Sequence, residues 1–273
     1  MFIQALIYST SEMSRVLEAL IIWLLSMISL TLSGFIKPQG YIYSTIVNQA
    51  ALATPAIIYL AIRRDVLLSM LKPLKNIRIK YVIFIALGVW AAGSILTYIQ
   101  DMLCPPPSWY IEKMREHAPS NISELILALL LTWLLVAPIE ELLFRWVLLK
   151  PIVNFLGVKM GVISSALIFS FSHLDPWNII SPFLVGLAAG WIVARNGSII
   201  SAIIIHGVHN TVSHLVNMLL YSRFETYRML GRIFYLLEVH HNIYIHLDYS
   251  AQILYSLLCI LLSLFFLSLS HIS

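Results

Sequence analysis

The sequence predicts an all-α, polytopic integral membrane protein, and two observations carry that prediction. Of its 273 residues, 60% are hydrophobic and only 11% are charged, whereas a soluble domain holds about half apolar and about 25% charged residues. The apolar residues are also gathered into runs of about the 20 residues that a helix needs to cross a bilayer. A water-soluble fold has too little interior to hide this much apolar surface, so lipid must solvate much of it.

By that length rule the candidate spans are roughly 16–36, 41–62, 80–99, 122–148, 160–173, 178–195, 198–220 and 250–271, about eight in all. The first run follows Glu12, Arg15 and Glu18, with no clear small-residue cleavage site after it, and reads as a retained span. The run at 160–173 is the shortest. Segments 100–121 and 221–249 are more polar, and each reads as a short interfacial helix or loop. No repeat or low-complexity tract divides the chain, which reads as a single domain over 1–273.

The net charge of +4 bears on orientation rather than on nucleic acid, because Lys and Arg collect on the cytoplasmic side. Arg63, Arg64, Lys72, Lys75, Arg78 and Lys80 cluster after the second span and mark that side as cytoplasmic. Alternation of spans puts Arg15, Arg145, Lys150, Lys159 and Arg195 on the same side, and Lys37, Lys113, Arg115, Arg223, Arg228 and Arg232 on the other. Both termini are then expected in the cytoplasm. The two cysteines, Cys104 and Cys259, form neither a disulfide framework nor a metal-ligand spacing.

Three spans carry polar residues that lipid disfavours. Span four contains Glu140, Glu141 and Arg145 within APIEELLFRW; span five ends on His173; span seven contains His206, His209, Asn210 and His214. An ionisable group at the bilayer centre costs at least about 2.5 kcal/mol, which makes each a candidate for function. A rise of about 1.5 Å per residue puts Glu140 and His206 roughly 12 Å from the cytoplasmic ends of their spans, Asn210 roughly 18 Å and His173 roughly 20 Å. Three spans thus place their polar groups in one slab, which predicts an intramembrane polar cavity.

Glu141 and Arg145 are four residues apart and can pair on one helix face. Glu140 is turned about 100° away, so one carboxylate is neutralised while the other stays available. His206 and Asn210 also share a face. A carboxylate, two imidazoles and an amide suffice for hydrolysis. The carboxylate takes a proton from water, a histidine holds that water or protonates the leaving amine, and imidazole N–H and carboxamide groups donate to the oxyanion.

Other readings fit single residues. The Glu141–Arg145 pair alone fits a structural ion pair, His173 alone an interfacial histidine, and His206 with Asn210 alone interhelical glue. His209 reads as packing or glue, and His240, His241 and His246 as solvated surface. Glu140, His173 and His206 also compose a two-imidazole, one-carboxylate set of the kind that holds zinc, although no H-E-x-x-H pair is present. The reading here requires no cofactor, and zinc stays open beside it.

Taken in order, EELLFR (Glu140, Glu141, Arg145), FSFSH (Phe169 to His173) and HGVHN (His206 to Asn210) resemble the E-E-x-x-x-R, F-x-x-x-H and H-x-x-x-N motifs of the CAAX prenyl protease family, type II, the Ras-converting-enzyme type. The resemblance covers about residues 122–220. It implies an intramembrane glutamate protease of eight helices whose cavity opens toward the cytoplasm. It further implies that Glu140 activates water, that His173 helps to hold it, that His206 and Asn210 form the oxyanion hole, and that Glu141, Arg145 and Phe169 shape the site. The partners implied are membrane lipid and a peptide or protein substrate, in the prenyl-protease branch a C-terminal CAAX sequence with a prenylated cysteine that loses its last three residues. Relatives in the wider superfamily process bacteriocins or confer immunity. A non-prenylated substrate and a non-catalytic binding role are therefore the alternatives.

Overall fold

The computed structural model describes residues 2–36, 40–70 and 78–221. The expected span at 250–271, nearly all of the polar segment 221–249 with its three histidines, Cys259, and the basic residues Lys37, Lys72, Lys75, Arg223, Arg228 and Arg232 lie outside the described residues.

Among the described residues the chain is helical and holds no strand. In chain order the helices are α1 (Phe2–Ser33), α2 (Tyr41–Ile62), α3 (Arg64–Met70), α4 (Ile79–Leu103) and α5 (Ser108–His117). They are followed by the long α6 (Ile122–Leu156), then α7 (Val158–Phe171), α8 (Ile180–Asn196) and α9 (Ile199–Tyr221). Among the described residues five stretches are long and apolar enough to cross a membrane, and α7 and α8 are shorter apolar helices. This is an integral membrane protein. The first apolar stretch begins at Ser11, earlier than the apolar run alone predicts, because the helix continues through its polar entry, where Arg15 lies 3.9 Å from Glu12 one turn away. Leu17, Ile21, Leu24, Ile28 and Leu32 line an exposed stripe along α1, the face a membrane helix gives to lipid.

Two local features shape α6. Its start is capped reciprocally: Asn121 Oδ1 accepts from the Glu124 N–H (3.0 Å), and Glu124 accepts from the Ser120 N–H (2.8 Å). Further along, the ladder widens to π turns over Thr132–Val136 and Leu142–Leu149, on either side of Ala137–Glu141. Pro138 lies in this inner segment. A proline lacks an N–H and crowds the carbonyl four residues earlier, so the ladder there has to rearrange.

Two glycines set how the next helices pack. Gly157 joins α6 to α7 in a single residue at φ 79°, in the left-handed region that glycine adopts freely. Gly186 brings α8 onto α7: a Cβ there would lie 2.9 Å from the Ala166 Cα, closer than packed backbones allow.

Helix α7 has 14 residues and is about 21 Å long at 1.5 Å per residue, short of the roughly 30 Å hydrocarbon core. The chain leaves the helix just before His173. Inside a bilayer, irregular backbone is tolerated only when its polar groups find partners in protein or in a wet cavity. They find them in protein: the His173 N–H donates to Ser170 O (3.2 Å) and the Leu174 N–H to Phe171 O (3.1 Å). The Trp177 N–H donates to Asp175 Oδ1 (3.1 Å), and Gln100 of α4 donates to Pro176 O (2.9 Å). Tyr110 of α5 donates to Asp175 Oδ2 (3.1 Å).

At the other end of the bundle Arg63 bridges Glu18 of α1 and Asp65 of α3. The hydrogen bond from Arg63 holds the Asp65 carboxyl below the usual carboxylate range, and the same bond raises the Arg63 guanidinium. One assignment needs correction. Arg145 does not belong among the basic residues that mark the cytoplasmic face, because its side chain is fully buried and paired inside the bundle.

Candidate active site

Helix α6 supplies three of the charged groups. The ion pair expected from the spacing is present: Arg145 Nε lies 2.9 Å from Glu141 Oε2, and neither side chain retains any exposure. The Arg145 guanidinium also stacks 4.6 Å from the centroid of the Phe169 ring, a desolvated cation–π contact that helps to offset its burial. A cation and an anion fully removed from water at one helix turn have to pair: Arg145 Nη2 also donates to Glu141 Oε1 at 3.4 Å, while Arg145 Nε and Nη1 and Glu141 Oε2 make no hydrogen bond among the described residues.

Glu141 does more than neutralise Arg145. Its Oε1 accepts a hydrogen bond from His206 Nδ1 of α9 at 2.9 Å. An ionised carboxylate only accepts, so Nδ1 carries the hydrogen and the ring orientation is fixed. His206 Nε2 then points toward Glu140, 3.8 Å from Glu140 Oε2. That separation exceeds a direct hydrogen bond. The Glu140 side chain keeps 13% of its exposure, unlike its neighbour. Its other oxygen, Oε1, accepts from Gln49 Nε2 of α2 at 2.8 Å.

Phe169 of α7 is the packing centre of the site. Its ring makes edge contacts with Phe144 (4.9 Å between centroids), His173 (5.0 Å) and His206 (5.7 Å). The four-residue spacing from Phe169 to His173 serves a second purpose, since His173 Nδ1 donates to the Phe169 carbonyl oxygen at 2.9 Å. That bond leaves His173 Nε2 unengaged by the backbone. His173 stands exposed just past the end of α7.

The structure therefore gathers Glu140, Glu141, Arg145, Phe169, His173 and His206 around one ring and one ion pair. Asn210 follows His206 by one turn of α9, half-buried, and its position next to the cluster rests on that spacing. The remaining histidines of α9 tie helices together: His209 Nε2 meets Ser181 Oγ of α8 at 3.0 Å, and His214 Nε2 meets Thr132 Oγ1 of α6 at 3.2 Å. Among the described residues no three His, Cys, Asp or Glu side chains converge in a metal-holding group.

Gln49 is the site contact that the residue pattern did not single out. The available signal was Asn48 and Gln49, two adjacent amides inside an otherwise apolar span. Asn48 is accounted for by Ser33, whose hydroxyl donates to its Oδ1 at 2.9 Å.

Residues 122–212 match the family model described as Type II CAAX prenyl endopeptidase Rce1-like. That segment includes all seven residues of the three motifs and excludes α2. No curated protein and no solved structure matches the chain.

Proposed function

We propose that this chain, whose residues 122–212 match the Type II CAAX prenyl endopeptidase Rce1-like family model, is a member of that family and an intramembrane endopeptidase in which Glu140 activates water. The observation that carries this reading is the division of labour between two adjacent carboxylates. Glu141 is fully buried, paired with Arg145 and bonded to His206. Glu140 pairs with no Arg or Lys among the described residues, keeps some exposure and turns one oxygen toward an imidazole.

In this reading Glu140 Oε2 accepts a proton from a water molecule as that water attacks the substrate carbonyl carbon. The electron pair of the carbonyl moves onto oxygen, and the resulting oxyanion takes hydrogen bonds from His206 Nε2 and the Asn210 carboxamide. Because His206 Nδ1 already donates to Glu141, Nε2 donates to the oxyanion only when the ring carries both hydrogens. His173, exposed beside the cluster, holds the water through its free Nε2. Collapse of the tetrahedral intermediate breaks the C–N bond, and the proton taken by Glu140 passes to the leaving amine. Glu141, Arg145 and Phe169 position these groups.

The substrate proposed is a C-terminal CAAX sequence with a prenylated cysteine, losing its last three residues. A site in the cytoplasmic half of the bilayer, with both termini cytoplasmic, would let such a lipid-bearing chain end enter from the membrane. The test is incubation of purified protein in detergent with a farnesylated CAAX peptide and with the same peptide lacking the farnesyl group. Release of the tripeptide from the farnesylated peptide alone supports the prenylated substrate. Equal release from both keeps the peptidase and removes the prenyl requirement. Release from neither contradicts this substrate class.

A further inference from the structure

Helix α2 turns five residues inward: Gln49, Leu52, Ala53, Ala56 and Leu60. Four are apolar, as expected of a membrane helix packed on its neighbours. The fifth is an amide, 9% exposed, and it reaches the carboxylate of the cluster that has no Arg or Lys partner among the described residues. Its Nε2 donates to Glu140 Oε1 at 2.8 Å. This choice of amide orientation leaves Gln49 Oε1 buried with no hydrogen-bond partner among the described residues. Flipping the amide would put its oxygen against a carboxylate oxygen, which is worse. A buried, half-satisfied amide is unfavourable in itself, so its retention points to the bond that it does make.

That bond has a geometric consequence. A carboxylate on a flexible side chain presents either oxygen, in any plane, unless something holds it. Gln49 occupies Oε1, which leaves Oε2 as the oxygen that faces His206 Nε2 at 3.8 Å. The donor comes from a helix outside the segment that matches the family, 91 residues away in sequence. We infer that Gln49 is a positioning residue, which clamps one oxygen of Glu140 so that the other is aimed at the water-binding side of the site. This inference rests on the reading of Glu140 as the group that activates water.

The test compares wild type, Gln49→Met, Glu140→Gln and the double variant, purified in detergent, on whichever peptide wild type cleaves. Methionine matches the length of glutamine without its donor and suits a membrane helix. A catalytic group displaced by about 1 Å loses on the order of 100-fold in rate. The expected result is therefore a 10- to 100-fold fall in kcat for Gln49→Met, with KM and thermal midpoint unchanged and no further loss when Gln49→Met is added to Glu140→Gln. Wild-type kcat in Gln49→Met, beside an inactive Glu140→Gln, overturns the inference and leaves the peptidase reading intact. A fall in kcat matched by a fall in thermal midpoint also overturns it, since Gln49 then serves packing; Gln49→Leu, a second apolar replacement, guards against a fault peculiar to methionine. Full activity in Glu140→Gln refutes the underlying reading instead, and this inference with it.

Discussion

Arg145 and Glu141 show what a single residue contributes here. Both are removed entirely from solvent, and Glu141 also fixes His206. Deleting one partner of a buried ion pair leaves a bare charge, at a cost of about 3–5 kcal/mol. Arg145→Met should therefore lower the thermal midpoint sharply in detergent. Pairing it with Glu141→Leu should restore most of the lost stability, since apolar replacement of a whole buried pair is often near neutral. The double variant should remain inactive, because His206 then loses the acceptor that orients its ring. An active double variant, or one as unstable as the single, would contradict this account. The pair itself was legible from spacing, because four residues span one helical turn. The bond from Glu141 to His206 was not, because 65 residues separate them and spacing along one helix says nothing about the next. For the same reason Gln49 escaped notice: amides in membrane helices usually serve as glue, and only packing shows which group they touch.

At the scale of elements, apolar run lengths located the apolar helices among the described residues and misjudged their ends. Hydropathy registers where lipid begins, whereas a helix continues until its ladder is capped or broken. Hence α1 starts before its apolar run, and α6 continues to Leu156, beyond the expected end at 148. The π turns on either side of Ala137–Glu141 left only Pro138 as a trace in the sequence. They matter because each wide turn rotates the residues after it, so the facing of Glu140 and Glu141 is not that of an ideal helix. The brevity of α7 was legible as a short run, and it explains His173. A helix of full span would carry that residue onward within its cylinder, whereas one ending at Phe171 leaves it in a turn, held by Gln100 and Tyr110 through the following loop.

For the whole molecule, the expectation of converging polar residues came from depth alone, and three separate spans do meet around Phe169. Composition made the membrane class plain, since no soluble fold hides so much apolar surface. Orientation rests on the basic residues near Arg63 and is testable with a residue at the opposite end. Cys104 is exposed at the end of α4, one crossing away from Arg78. In a Cys259→Ser background, a membrane-impermeant maleimide should label Cys104 from the non-cytoplasmic side of sealed right-side-out vesicles. Labelling only after the vesicles are opened would reverse the proposed topology.

The central claim is that Glu140, and not its neighbour, activates water for peptide cleavage. The most direct measurement is the rate of peptide cleavage by Glu140→Gln against wild type, purified in parallel with matched thermal midpoints and read by mass spectrometry of the released fragment. A general base contributes about 10²- to 10⁴-fold, and the account predicts a loss of at least that order, the same with and without a chelator present. Turnover by Glu140→Gln close to that of wild type would contradict it.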